Sequence, residues 1–150
     1  MIALVDHGEK DVSSLDGHRV AASSPHFEAR QRILPQRLAL VRRAIDERDL
    51  EALGPILEEE AIELHLIAMS SKPPIFYWKP GTVQVLERLR ALRREGLFAW
   101  ATMDAGANVH VICAPQTEAS VIAALNELSG VSGVLLDGAG PGPREEREHL

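Results

Sequence analysis

The sequence predicts an α+β fold: a two-layer domain in which a mainly antiparallel four-stranded sheet has its helices packed on one face. Three observations point there. Four short runs rich in β-branched or apolar residues alternate with longer stretches whose apolar residues recur at helical spacing. The order is strand, helices, strand, strand, helix, strand, which is not the regular alternation of a parallel sheet. Two of the strands are joined by only five residues, the length of a hairpin loop.

The first strand is IALVD (2–6). Turn chemistry follows in HGEKDVSSLDG (7–17), then room for one or two helical turns over 15–24 and a break at Ser24-Pro25. From His26 to Arg48, Leu34, Leu38, Val41 and Ile45 form one helix face, with Pro35 expected to kink or restart the helix. Asp49 is the expected N-cap of the next helix, whose apolar line is Leu53, Leu57, Ala61, Leu64 and Ala68. These two helices are expected to pair antiparallel. SSKPPIFYWKPG (70–81) carries three prolines and cannot be regular helix. A further helix has Val83, Leu86, Leu89 and Leu92 on one face, with Gly96 as its stop. FAWATM (98–103) and VHVICA (109–114) are strands joined by DAGAN (104–108), where Gly106 and Asn108 tolerate positive φ. Residues 115–130 form a helix with Val121, Leu125 and Leu128 inward, and VSGVLL (131–136) is the last strand. GAGPGPREEREHL (138–150) has loop residues and then a charge run, the pattern of a disordered tail.

Composition excludes several functions. The chain has 150 residues, enough for one domain that buries about 70% of its unfolded surface without a staple. A net charge of −6 lacks the basic face that nonspecific nucleic-acid binding needs. One cysteine leaves no disulfide framework and no CxxC zinc site. No apolar run approaches the roughly 20 residues of a membrane span, and the N-terminus does not read as a signal peptide, so a cytoplasmic setting is expected. No phosphate loop of the G-x-x-x-x-G-K-[ST] or strand-to-helix G-x-G-x-x-G type is present, so the chain should not bind a nucleotide well by itself. His110 and Cys113 lie three apart on a strand and point to opposite faces, so the histidines read as isolated side chains with no metal site.

DAGAN is the more informative cluster. Asp104 ends a strand and is followed by Ala105 and Gly106, small enough to let a ligand approach the backbone. Asp104 then serves as base or orienting group for a substrate hydroxyl, or, on spacing alone, caps its own hairpin loop. Ser13 and Ser14 offer adjacent hydroxyls near an acid, a pattern that helix starts also use. Tyr77 and Trp78 beside Pro73-Pro74 form a stiff aromatic loop suited to a domain junction or dimer interface, and His65, one turn before it, reads as a structural helix histidine.

Taken together, these segments resemble the C-terminal domain of the mevalonate diphosphate decarboxylase family, within the superfamily of galactokinase, homoserine kinase, mevalonate kinase and phosphomevalonate kinase. The resemblance rests on LHLIAMSSKPPIFYW (64–78), TMDAGAN (102–108), DVSSLDG (11–17) and GPGP (140–143), in family order over most of the chain. It implies a ferredoxin-like C-terminal domain over 1–137, a tail over 138–150, and an N-terminal ATP-binding domain that this chain does not contain. It implies ATP-dependent phosphorylation of the 3-hydroxyl of mevalonate 5-diphosphate, followed by loss of phosphate and CO₂ to give isopentenyl diphosphate. Asp104 is then the catalytic group facing that hydroxyl. Ser13, Ser14, Ala105 and Gly106 bind substrate, with Ser14 the closer serine. ATP and Mg²⁺ are the expected cofactors, held mainly outside this chain, and a homodimer through this domain is the expected assembly.

The departures carry information. Ala107 replaces the family's usual proline, His18 a common methionine, and Leu66 the alanine after the motif histidine. Leu15 follows the serines where family members carry Thr or Arg, which favours mevalonate 5-phosphate as an alternative substrate, giving isopentenyl phosphate. The chain is expected to be inactive alone. A non-catalytic dimerisation or ligand-binding module of the same fold is the competing expectation.

Overall fold

The computed structural model describes residues 1–8, 10–138 and 140–143, and its sheet joins the two ends of the described chain to a central hairpin. Its strands are β1 (Ile2–Leu4), β2 (Ala99–Thr102), β3 (Val109–Cys113) and β4 (Gly133–Leu135), in the order β2-β3-β1-β4 and antiparallel throughout. Ile2 lies opposite both His110 and Leu135, and Trp100 lies opposite Ile112. Alternate residues Ala3, Ala99, Ala101, Val109 and Val111 turn inward and are fully buried. The charge run 144–150 lies outside the described residues.

The helices are α1 (Ser14–Val20), α2 (Phe27–Asp46), α3 (Leu50–Ser70), α4 (Pro80–Arg94) and α5 (Glu118–Asn126). α4 and α5 supply Val85, Leu86, Leu89, Leu92, Val121 and Leu125 to the core beneath the sheet. Val83, expected on that face, is 42% exposed; Thr82 and Val85 take the inward positions. Gly96, at φ +84°, ends α4 as expected. The expected helix over 115–130 begins as a 3-10 turn at Pro115–Thr117, where Pro115 cannot donate, and becomes α-helical at Glu118.

α2 and α3 form the antiparallel pair. Asp49 N-caps α3 by accepting from the Ala52 N–H at 2.9 Å, and the far ends meet where Ser24 Oγ and Ser70 Oγ lie 2.8 Å apart. α2 runs unbroken through Pro35, against the expected kink or restart. Its packing face is only partly the expected one: Leu34 and Val41 are half-buried. Leu38 and Ile45 are 51% and 56% exposed. The inward line instead carries Arg30 and Arg37, which ion-pair with Glu60 and Glu63 of α3. Polar contacts displaced the apolar stripe that periodicity favours.

The same displacement occurs on α3. Its most buried line is Gly54, Glu58, Ala61 and His65: Ala61 is on the expected line, and the other three each lie one position off an expected leucine. The cause is that α3 lies along the edge strand β2, whose outer backbone groups have no neighbouring strand. Glu58, 7% exposed, accepts from the Ala101 N–H, while Arg93 of α4 donates to the Ala99 carbonyl at 2.7 Å. Glu58 and Arg93 pair through two contacts of 3.0 and 3.1 Å, and the Arg93 guanidinium sits 4.2 Å from the Trp100 ring centroid. Two side chains thus stand in for a fifth strand. Only glycine fits at position 54, where a Cβ would lie 2.1 Å from the Trp100 indole.

Two stability outcomes follow. Glu58→Ala leaves Arg93 and the Ala101 N–H without their partner and is expected to cost about 3–5 kcal/mol in urea denaturation; a loss below about 1 kcal/mol would mean that the pair does not hold the edge. Arg48, at φ 54°, ends the α2–α3 turn in the left-handed region that glycine prefers. Arg48→Gly is expected to raise stability by about 0.5–1 kcal/mol in the same measurement.

Candidate functional site

α3 and β2 run side by side in the same direction. From Gly54 to His65 the helix rises about 16 Å, and from Trp100 to Asp104 the strand advances about 13 Å, so the two reach the same end of the domain. There α1, the proline loop after α3 and the DAGAN turn converge.

Asp104 is exposed at that convergence. Its carboxylate takes no hydrogen bond from the described residues, so it does not cap its own loop. The turn is closed by the backbone instead, with the Gly106 N–H donating to the Asp104 carbonyl at 2.8 Å. Neither Gly106 nor Asn108 uses the positive φ that both tolerate. Asn108 serves otherwise: its side-chain oxygen accepts from the Val5 and Asp6 N–H groups and ties the turn to the end of β1. Among the described residues the one ion contact of the carboxylate is Lys10 Nζ at 3.7 Å, a residue that motif reading passed over.

Two cavities share Asp104 and Tyr77. The first, of about 420 Å³, is lined by Ser14, His18, Arg30, Asp104, Ala105 and an apolar wall that includes Phe27, Leu64 and Ile67. The second, of about 610 Å³, is more polar and holds Lys10, Lys79, Asp6, Asp11 and Gly106. Ser14, Asp104 and Ala105 are therefore brought together, while Gly106 faces the other side. Ser13 is engaged elsewhere: it N-caps α1, accepting from the Asp16 N–H at 3.1 Å, and its hydroxyl donates to the Asp16 carboxylate at 2.7 Å. Leu15 is 60% exposed.

The proline loop shapes the floor. The Lys72–Pro73 bond is cis. Ser71 donates to backbone carbonyls, and the Ile75 N–H returns to Ala68. Tyr77 turns inward and its hydroxyl donates to the Ser13 carbonyl at 3.3 Å. Burial, with the Asp16 charge second, pushes that phenol up. Gly17 makes the approach possible, since a Cβ there would lie 2.6 Å from the Tyr77 oxygen. Phe76 alone of the loop aromatics points outward, 68% exposed.

His65 is 1% exposed and contacts the Tyr77 ring edge-on and the Trp78 ring at 5.3 Å. Burial lowers its pKa, only partly opposed by Asp104, and the ring is uncharged at neutral pH. Burial likewise keeps the Cys113 thiol protonated. Among the described residues no group of three His, Cys, Asp or Glu side chains could hold a metal, and no helix is long and apolar enough to cross a membrane.

Comparison with known proteins bears on this geometry. Residues 1–137 match the family model described as mevalonate 5-diphosphate decarboxylase C-terminal domain. A diphosphomevalonate decarboxylase of Candida albicans is 24% identical over all of this chain and 47% of its own length. A phosphomevalonate decarboxylase of Haloferax volcanii is 28% identical over 63% of this chain and 29% of its own. The solved structure described as MDDEF in complex with MVAPP, AMPPCP and magnesium superposes with a TM-score of 0.79 at 32% identity, over 84% of this chain and 39% of that one. The chain thus spans less than half the length of these proteins.

The buried imidazole gives the fold a pH dependence. The unfolded chain takes up this proton near pH 6.5, and the folded chain resists it. Below that pH the unfolded state holds more protons, so this contribution to stability is present above about 6.5 and is lost as pH falls through it. Urea denaturation at stepped pH is expected to show the decline, and His65→Phe a shallower one; identical slopes would contradict it.

Proposed function

This chain belongs to the mevalonate 5-diphosphate decarboxylase C-terminal domain family, and from that premise we propose that it is the substrate-facing part of an ATP-dependent decarboxylase that converts mevalonate 5-diphosphate to isopentenyl diphosphate. One observation carries the reading: the Asp104 carboxylate, free of its own loop, opens onto the cavity that holds Ser14. ATP with Mg²⁺, when bound, supplies the phosphoryl group, and the residues that hold both are assigned to the part of the relatives that lies outside this chain.

The chain's own residues have three tasks. Asp104 accepts a hydrogen bond from the substrate's tertiary hydroxyl and orients it, or takes its proton as the oxygen attacks phosphorus. Such transfer depends mostly on positioning and charge, which one aimed carboxylate serves. Ser14, with Ala105 at the cavity wall, contacts the substrate. The apolar wall keeps water away as phosphate departs and the carboxylate leaves as neutral CO₂. Lys10, beside Asp104, limits repulsion between this carboxylate and an anionic substrate. Homodimerisation belongs to the same reading; Leu38, Leu40 and Ile45 of α2 are apolar side chains left at the surface.

A second substrate is favoured by Leu15. It is exposed beside Ser14 and offers no polar contact to a terminal phosphate, which suits mevalonate 5-phosphate, and a phosphomevalonate decarboxylase is among the relatives.

The test is release of ADP and CO₂ by the intact cellular protein that contains this sequence, with both substrates side by side. Asp104→Asn is expected to lower kcat by about 10²–10⁴. The 150-residue chain by itself is expected to give no turnover. Full activity of the Asn variant would remove Asp104 from the chemistry, and activity with neither substrate would favour a non-catalytic ligand-binding or dimerisation module.

A further inference from the structure

α1 carries Ser14, Gly17 and His18 on the cavity wall, yet little holds it there. Ser14, Gly17 and Val20 form its inner side and are half-buried, and none of its seven residues is fully buried. A helix this short does not hold itself in water, so what it docks against decides its place. Its side-chain hydrogen bonds stay within its own turns: Ser13 with Asp16, and Arg19 with Asp16. Ser23 closes the following turn on the Val20 carbonyl. Among the described residues, one hydrogen bond ties α1 and its N-cap to a segment beyond that turn: the Tyr77 hydroxyl donates to the Ser13 carbonyl.

Both partners are shaped for this contact. Tyr77 ends the proline loop, is 8% exposed and lines both cavities. A phenyl ring would fill its place, but only the hydroxyl reaches Ser13. Position 17 is glycine, and a Cβ there would lie 2.6 Å from the phenol oxygen but 3.7 Å from the nearest ring carbon. The space that glycine leaves is therefore space for the hydroxyl, not for the ring. At 3.3 Å the bond is long for a hydroxyl donor, a length that seating of substrate commonly shortens.

We propose that Tyr77 is a positioning residue for Ser14: its hydroxyl holds the Ser13 carbonyl and so fixes the first turn of α1, keeping the Ser14 side chain on the cavity that Asp104 opens onto. The inference rests on the proposed contact of Ser14 with substrate. The link is one peptide long. The Ser13 carbonyl and the Ser14 nitrogen belong to a single planar unit, so a donor on that oxygen fixes the plane from which the Ser14 side chain departs. Ser13 then serves the site through its backbone, although its hydroxyl is engaged by Asp16. The phenol acts on substrate through Ser14 and not on the reacting oxygen, so its loss weakens binding and spares the chemical step.

Steady-state kinetics of the intact cellular protein, with whichever of mevalonate 5-diphosphate and 5-phosphate it turns over, separate this role from packing. Tyr77→Phe keeps the ring and removes the hydroxyl. It is expected to raise KM about fivefold with kcat changed less than about twofold, and Ser14→Ala to raise KM about tenfold. On the Ser14→Ala background Tyr77→Phe is expected to add less than about twofold, because the side chain it positions is gone. A KM within about twofold of wild type in the Phe variant, a fall in kcat without a rise in KM, or the full rise repeated on the Ser14→Ala background would overturn the assignment while leaving Ser14 in place. Ser14→Ala with unchanged KM would remove the Ser14 contact and the inference with it. Should the Phe variant not fold, Gly17→Ala reads the same contact from the α1 side. Its methyl group displaces the phenol from Ser13 and is expected to give the same rise in KM, and an unchanged KM would overturn the proposal.

Discussion

The pairing of Glu58 with Arg93 across the open edge of β2 is the contact on which the rest of the domain depends. An edge strand leaves every second N–H and C=O unpaired, and burying them without partners would cost more than the helix packing returns. A carboxylate on α3 and a guanidinium on α4 satisfy the Ala101 N–H and the Ala99 carbonyl and also satisfy each other. The consequence is geometric. α3 is locked in register with β2, with Gly54 against Trp100 and Glu58 on the Ala101 N–H. Asp104 follows β2 at the far end of that register.

Charge organises the outer layer in the same way. Arg37, only 14% exposed in its side chain, joins Glu60 and Glu63 and is held firmly protonated by them. Hydrogen bonding to Arg37 holds the Glu63 carboxyl below its ordinary range. α2 is thereby fixed to α3 by ions, and Leu38, Leu40 and Ile45 are left outward. A helix docked by its arginines places Phe27 and Arg30 on the wall of the cavity beside Asp104.

Much of this was legible in the residues. The four strands, the N-cap at Asp49 and the stop at Gly96 follow from local chemistry. The inward faces of α2 and α3 were legible only in part, at Leu34, Val41 and Ala61. Periodicity finds apolar stripes, whereas these helices turn Arg30, Arg37 and Glu58 inward because their neighbours are unpaired backbone and opposite charge, and His65 inward against two aromatic rings. Lys10 was missed because a lone lysine in a turn has no spacing signal. The continuity of α2 through Pro35 also escaped local rules: proline removes one donor, and the contacts with α3 on either side hold the helix across the gap.

The central claim is that Asp104 faces the substrate hydroxyl within the Ser14 cavity. A crystal structure of the protein with mevalonate 5-diphosphate tests it most directly. The expected result is the tertiary hydroxyl within about 3 Å of an Asp104 carboxylate oxygen, with Ser14 on the same ligand. A ligand seated away from Asp104, or an Asp104 carboxylate turned to solvent with the ligand in place, would contradict it.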